Sequence, residues 1–158
     1  MKIHVYSVCY NEEFMLPYFM KHYLKFADKI TVYDKMSTDK SVELMKENGI
    51  EVIPFQSNNE YCESILLNIR NTCWKNDTSD FVIVCDIDEF IYHPNIIDKF
   101  IKYSNNGFTI IKPKGFQMMS ESLPTTNDQI YDELKNGFFD ERYSKPCIFN
   151  PRNVNIQF

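Results

Sequence analysis

The chain has 158 residues, enough for one domain with a real core, and its 44% hydrophobic and 25% charged content is ordinary for a soluble globular protein. A formal net charge of −5 argues against a nucleic-acid binder, which needs a basic face, yet leaves room for a nucleotide whose charge a metal ion meets. No apolar run reaches the length of a membrane span, and Met1-Lys-Ile-His opens a strand rather than a signal peptide. The five cysteines (9, 62, 73, 85, 147) form no C-x-x-C pair, so a cytoplasmic protein with reduced thiols is expected.

In chain order, Ile3 to Cys9 reads as a buried strand, and Leu16 to Phe26 carries apolar residues at helical spacing, with Pro17 tolerable near its start. Lys29 to Tyr33 reads as a second strand, and Lys40 to Lys46 as a short helix stopped by Asn48-Gly49. Glu51 to Phe55 is a third strand, Glu60 to Trp74 a longer amphipathic helix, and Phe81 to Cys85 a fourth strand. This alternation predicts an α/β domain with a mostly parallel sheet and right-handed crossovers. Beyond it, Pro94 to Tyr103 reads as a helix, and Phe108 to Ile111 and Lys114 to Met119 as strands. Val154 to Phe158 alternates like a strand and ends abruptly, as if the architecture continued past it. The expected division is a single domain over 1–158: a nucleotide-binding half over 1–103 and an acceptor-side part over 104–158, possibly truncated.

The chemistry concentrates where strands end. Phe81-Val-Ile-Val-Cys85 drives into Asp86-Ile-Asp-Glu89. Bare carboxylates are costly to bury, so Asp86 and Asp88 belong at the strand's exit, where open α/β sheets bind ligands. Two carboxylates there suit a hard divalent cation that also grips a diphosphate. The plain alternative is a polar strand exit with a helix-capping aspartate. Two other exits are also polar: Cys9-Tyr-Asn-Glu-Glu13 and Asp34-Lys-Met-Ser-Thr-Asp39. Together the three predict a crevice lined by donors and acceptors.

Asn11-Glu12-Glu13, Asp34 with Ser37-Thr38-Asp39, Ile69-Arg70-Asn71 and Asp86-Ile-Asp-Glu-Phe90 stand in an order and spacing that is recognisable. Over residues 1–90 the chain resembles GT-A-fold glycosyltransferases of the family 2 kind, in a subgroup also similar to the family 92 enzymes. Lys145-Pro146 before an apolar strand extends that resemblance thinly. It implies a GT-A-like three-layer sandwich and transfer of a sugar from a nucleotide-sugar donor, with a UDP-sugar favoured, to a glycan, protein or lipid acceptor. It implies Mn²⁺ or Mg²⁺ on the donor diphosphate, held by Asp88 and by Asp86, which also suits a ribose hydroxyl. Tyr10 would stack on the base, with Asn11 and Glu12 bonding the nucleoside or bracing the loop; otherwise Tyr10 packs inward. Asp34 would read the base and Asp39 mainly cap a helix. Arg70 is either a base or phosphate contact or the ion-pair partner of a crevice carboxylate. His93 is a distant candidate for a third metal ligand. A general base would come from the later region, where Glu121, Asp128, Asp132, Asp140 and Glu141 read first as surface charges.

Other readings fit less well. A haloacid-dehalogenase-type phosphatase expects its D-x-D on the first strand and an acidic pair downstream. A dinucleotide-binding dehydrogenase or a P-loop needs glycines, and none occurs before Gly49. The remaining rival is a non-catalytic nucleotide-sugar-binding domain or a truncated inactive transferase.

Overall fold

The computed structural model describes residues 1–57, 63–124 and 129–158. Its elements alternate as the hydrophobic pattern requires: β1 (Ile3–Cys9), α1 (Leu16–Tyr23), β2 (Lys29–Asp34), α2 (Ser41–Glu47), β3 (Glu51–Pro54), α3 (Glu63–Thr72) and β4 (Phe81–Val84). They are followed by α4 (Ile96–Asn105), β5 (Ile110–Ile111), β6 (Phe116–Met119), α5 (Ile130–Glu133), β7 (Asn136–Phe139) and β8 (Ile148–Phe149). One sheet runs in the order β3-β2-β1-β4-β8-β5, and β6 and β7 form a separate two-stranded ribbon.

β1, β2, β3 and β4 are mutually parallel, while β8 lies antiparallel to β4 and β5 antiparallel to β8. Successive strands therefore step outward from β1 to β3, and the chain then crosses back to place β4 on the other side of β1. The carboxyl ends of β1 and β4 flank this reversal, the point at which doubly wound sheets open a crevice.

Continuous apolar strands arise because both faces are covered. On one face Ile3, Val5, Phe81 and Ile83 pack with Leu16, Phe19 and Tyr23 of α1, Met45 of α2 and Phe100 of α4. On the other, Tyr6, Val82, Val84 and Phe149 pack around Trp74. Each fully buried large side chain in these clusters contributes on the order of 2 kcal/mol by leaving water. Pro17 sits in the first turn of α1, where its missing N–H costs nothing.

Several expected bounds shift. α1 ends at Tyr23, and β5 and β6 shorten to Ile110–Ile111 and Phe116–Met119. The expected start of α3 at Glu60 falls outside the described residues, as do Cys62 and Asp128. Val154 to Phe158 has no strand partner among the described residues. Its alternating Val154, Ile156 and Phe158 instead pack on the Trp74 cluster, so the alternation was real but reported burial, not pairing. Cys9, Cys85 and Cys147 are buried free thiols and Cys73 is a half-buried one. Among the described residues no helix is long and apolar enough to cross a membrane.

Candidate functional site

The sheet register brings the polar exits together. Cys9 pairs with Asp34, Asp34 with Pro54, and Tyr6 with Val84, so β1, β2 and β4 end side by side. Beyond Cys9 the backbone turns through Asn11, whose φ of 55° lies in the left-handed region. Asparagine tolerates that region better than most residues. Its side chain uses the turn: Asn11 Oδ1 accepts from Thr38 N–H at 2.8 Å, and Asn11 N–H donates to Ser37 Oγ at 2.9 Å. Glu12 N–H donates to Ser41 Oγ at 2.8 Å, and Glu13 N–H to Asp39 at 3.1 Å. The first two exits are thus stapled into one surface.

Asp34 is 2% exposed, and its two oxygens accept from the Ser37 hydroxyl at 2.6 Å and the Ser37 N–H at 3.0 Å. The structure therefore places Asp34 inside the turn that follows β2. Asp39 accepts from Ser41 N–H at 2.9 Å, but it lies one residue before the N-cap of α2, which is Lys40. Met36, exposed and at φ 55°, is a second left-handed residue in this turn, and for so bulky a side chain that is strained backbone. Tyr10 does not pack inward. Its ring is 51% exposed, with the Lys35 ammonium 5.0 Å from the ring centroid.

The β4 exit supplies the acids. Asp86 Oδ1 accepts from Arg70 Nη2 of α3 at 2.5 Å, so the guanidinium is the partner of a crevice carboxylate. Asp86 N–H donates to Glu89 Oε2 at 3.2 Å, and the other Glu89 oxygen holds Lys145 Nζ. Asp88 has no ion-pair partner among the described residues. Partial burial and the neighbouring Asp86 charge push its carboxyl above the usual range. Glu12 is pushed up in the same sense, by burial and then by Asp88, Asp39 and Asp86. Glu12, just past β1, therefore feels the carboxylates at the β4 exit.

Three supports could not be read from local sequence. Tyr23 is fully buried; its hydroxyl donates to Glu89 O at 2.8 Å and accepts from Ile91 N–H at 3.2 Å, fixing the backbone just past Asp88. Next to it, His22 Nε2 lies 3.1 Å from Ile91 O. Burial lowers the His22 pKa to about 4, so a neutral ring donates this bond. Lys145 arrives at the head of β8, antiparallel to β4, through a turn that needs Gly115. A Cβ there would lie 2.3 Å from the Tyr143 carbonyl carbon, and Gly115 N–H donates to Ser144 Oγ at 2.9 Å. The signals available were the aromatic on the buried face of α1 and the Lys-Pro pair before an apolar run.

Among the described residues no three His, Cys, Asp or Glu side chains form a ready-made metal cage. His93 Nδ1 is occupied by the Asn95 N–H at 3.0 Å. The donor set at Asp86 and Asp88 is oxygen only and carries unbalanced negative charge. That fits Mg²⁺ or Mn²⁺, which are held by one or two carboxylates together with phosphate oxygens and water.

No protein-family model matches the chain, and no curated protein does. Among solved structures it is similar to S. aureus TarS, with a TM-score of 0.53 at 21% identity over 70% of this chain and 21% of that one. It is also similar to TarS 1-349 in complex with UDP, with a TM-score of 0.52 at 20% identity over 79% and 38% of the two chains. For TarS 1-349 alone the TM-score is 0.52 at 17% identity, covering 96% and 47%. The chain thus spans from about a fifth to about half of the structures it matches. At these identities the likeness is one of architecture: a GT-A-like α/β sandwich on a mostly parallel sheet.

Proposed function

We propose that the chain is the nucleotide-sugar-binding portion of a metal-dependent glycosyltransferase, taking a UDP-sugar and passing a hexosyl or N-acetylhexosaminyl group to an acceptor hydroxyl. The observation that carries this reading is Asp88, without an ion-pair partner among the described residues, beside Asp86 at the reversal of strand order, with the carboxyls of Asp88 and Glu12 both raised by burial and then by neighbouring carboxylates. The UDP held by a structure of the same fold supports the choice of nucleotide.

In this reading the exposed Tyr10 ring offers its face to the base, and Asn11 and Asp34 hold the wall against which the nucleoside lies. Glu12 faces the acidic centre from β1. Asp86 and Asp88 would hold a divalent cation, which when bound neutralises charge developing on the leaving diphosphate. Arg70 on Asp86 and Lys145 on Glu89 bring positive charge to this centre and would orient the same diphosphate.

One observation favours a binding domain without turnover. In the later region Asp140 is paired with Arg142 and Glu141 with Lys112, so neither stands ready as a base. Thermal unfolding with UDP-sugars, with and without Mn²⁺, tests the donor reading. Saturation at a hundred times Kd stabilises the native state by about 2.7 kcal/mol. Asp88→Ala is expected to remove the Mn²⁺-dependent part of the shift while leaving the unliganded protein folded, with a midpoint no lower than that of the wild type. Unchanged UDP affinity with Mn²⁺ in that variant would sink the metal assignment, and release of free sugar or transfer separates enzyme from binder.

A further inference from the structure

We propose that Met36 is a base-contacting residue, held out by a strained turn so that its side chain packs, with the Tyr10 ring, against a flat nucleobase. This rests on the reading of the crevice as a nucleotide-sugar site. Two unfavourable features coincide at Met36. Among the described residues only Asn11 and Met36 combine a side chain with a positive φ, whereas Gly49 and Gly107 fill the other left-handed positions. Asparagine tolerates that region through local hydrogen bonds, and methionine has none to offer. The Met36 side chain is also 52% exposed, so no packing in the fold repays the strain. A glycine would remove both costs.

The backbone on both sides of Met36 is pinned. Lys35 N–H donates to Cys9 O at 2.9 Å, and buried Asp34 accepts from the Ser37 N–H at 3.0 Å and the Ser37 hydroxyl at 2.6 Å. Ser37 Oγ also accepts from Asn11 N–H at 2.9 Å, and Thr38 N–H donates to Asn11 Oδ1 at 2.8 Å. These bonds over-determine the turn, and none of them needs the Met36 side chain. The strain persists because its neighbours impose it. Along the two joined exits, Tyr10 to Glu13 and Lys35 to Asp39, Tyr10 and Met36 are the apolar members, at 51% and 52% exposed. They lie on adjacent stretches: the Lys35 ammonium, one residue before Met36, is 5.0 Å from the Tyr10 ring centroid. A ligand made only of charge and hydroxyls would use the polar members and leave this pair in water. A nucleobase, apolar on its faces and polar at its edge, uses both kinds. The polarisable thioether of methionine adapts well to an aromatic ring. The crevice then divides its labour, with the base at the exits of β1 and β2 and the diphosphate at the acids after β4.

The test is titration calorimetry on the full chain in Mn²⁺, with UDP and inorganic pyrophosphate as separate probes, for the wild type, Met36→Ala, Met36→Gly and Met36→Leu. Thermal midpoints of the unliganded proteins are measured alongside. Met36→Ala is expected to weaken UDP about tenfold and to leave pyrophosphate unchanged. Met36→Leu keeps an apolar side chain of similar volume and is expected to stay within about threefold of the wild type. Met36→Gly loses UDP affinity as the alanine variant does, while its midpoint rises by about 2 °C as the backbone relaxes. Higher stability with weaker binding is not produced by general loosening of the fold. Equal UDP affinity in the wild type and Met36→Ala overturns the base contact while leaving the donor site standing. A matching loss for pyrophosphate, or a loss in Met36→Gly without one in Met36→Ala, makes Met36 a shaper of the turn and overturns the contact too. A midpoint that falls in Met36→Gly overturns the strain on which the proposal stands. A wild type that binds UDP no more tightly than pyrophosphate, or binds neither, overturns the donor reading and the base contact with it.

Discussion

β1 and β2 carry a polar cluster at each end, and the two are built on opposite terms. At the amino ends the His4 ring lies between Asp77 Oδ2 at 2.5 Å and Thr31 Oγ1 at 2.7 Å. Asp77 also accepts from the Tyr6 hydroxyl and the Ser79 N–H, both at 2.6 Å, and Thr31 donates to Glu51, which pairs with Lys29. Burial alone would raise the Asp77 carboxyl, but the bonds from Ser79 and Tyr6 overcome it and hold it below the usual range. At the carboxyl ends the shifts run the other way: Asp88 and Glu12 are raised, because burial and neighbouring carboxylates outweigh what opposes them. A satisfied buried network stabilises the fold, whereas an unsatisfied acidic one is a cost that persists where a ligand is to meet it.

The largest effect should come from opening the satisfied end. The Asp77 side chain is 5% exposed, and Asp77→Ala leaves the His4, Tyr6 and Ser79 donors without their acceptor. A loss of about 3 kcal/mol in urea unfolding is expected, with UDP binding per folded molecule unchanged. The pH dependence has a definite sign. A carboxyl lowered on folding contributes stability that is complete above its unfolded pKa and is lost as pH falls through the folded one, so the variant should show a flatter acid limb. A smaller effect belongs to the wall of the crevice. Asn11→Ala loses the bond to Thr38 and puts alanine at φ 55°, a cost of about 2 kcal/mol. Asn11→Gly relieves the backbone part and should recover about half; recovery of none would mean the side-chain bond carries the whole effect.

Much of this asymmetry was legible in the chain. Apolar-rich runs predict the four parallel strands, though β3 is only half-buried, and polar residues directly after three of them predict the shared exit, because burial and helix breaking are local properties. What was not legible depends on partners far apart. His4 meets Asp77 across 73 positions, and Lys145 meets Glu89 across 56, and no local pattern specifies either register. Asp34 and Arg70 were found as residues, but whether they face a ligand or each other's neighbours is decided by rotamers within the assembled turn. β6 was expected as a strand, but its partner β7 was not, for another reason. Every residue of both strands is exposed, so no inward-outward alternation reaches the sequence, and β7 left no mark.

The smallest effect is the most diagnostic, because its sign is set by the unsatisfied end. A carboxyl raised on folding binds its proton more readily in the native state, so its ionised form costs stability above the folded pKa, and the cost vanishes as pH falls through it. Asp88→Asn removes the charge at nearly constant volume. Because Asp88 is exposed to solvent, screening limits the gain, and a stabilisation of about 0.5 kcal/mol at neutral pH is expected, shrinking to nothing in acid. Adding Mn²⁺ and UDP should reverse the order, since the ligands stabilise the wild type by mass action and the variant far less. Thermal midpoints of the two proteins across pH, with and without these ligands, would show curves that cross. A variant less stable than the wild type without ligand at neutral pH would mean that Asp88 is a structural carboxylate, and that the two ends of the sheet are alike after all.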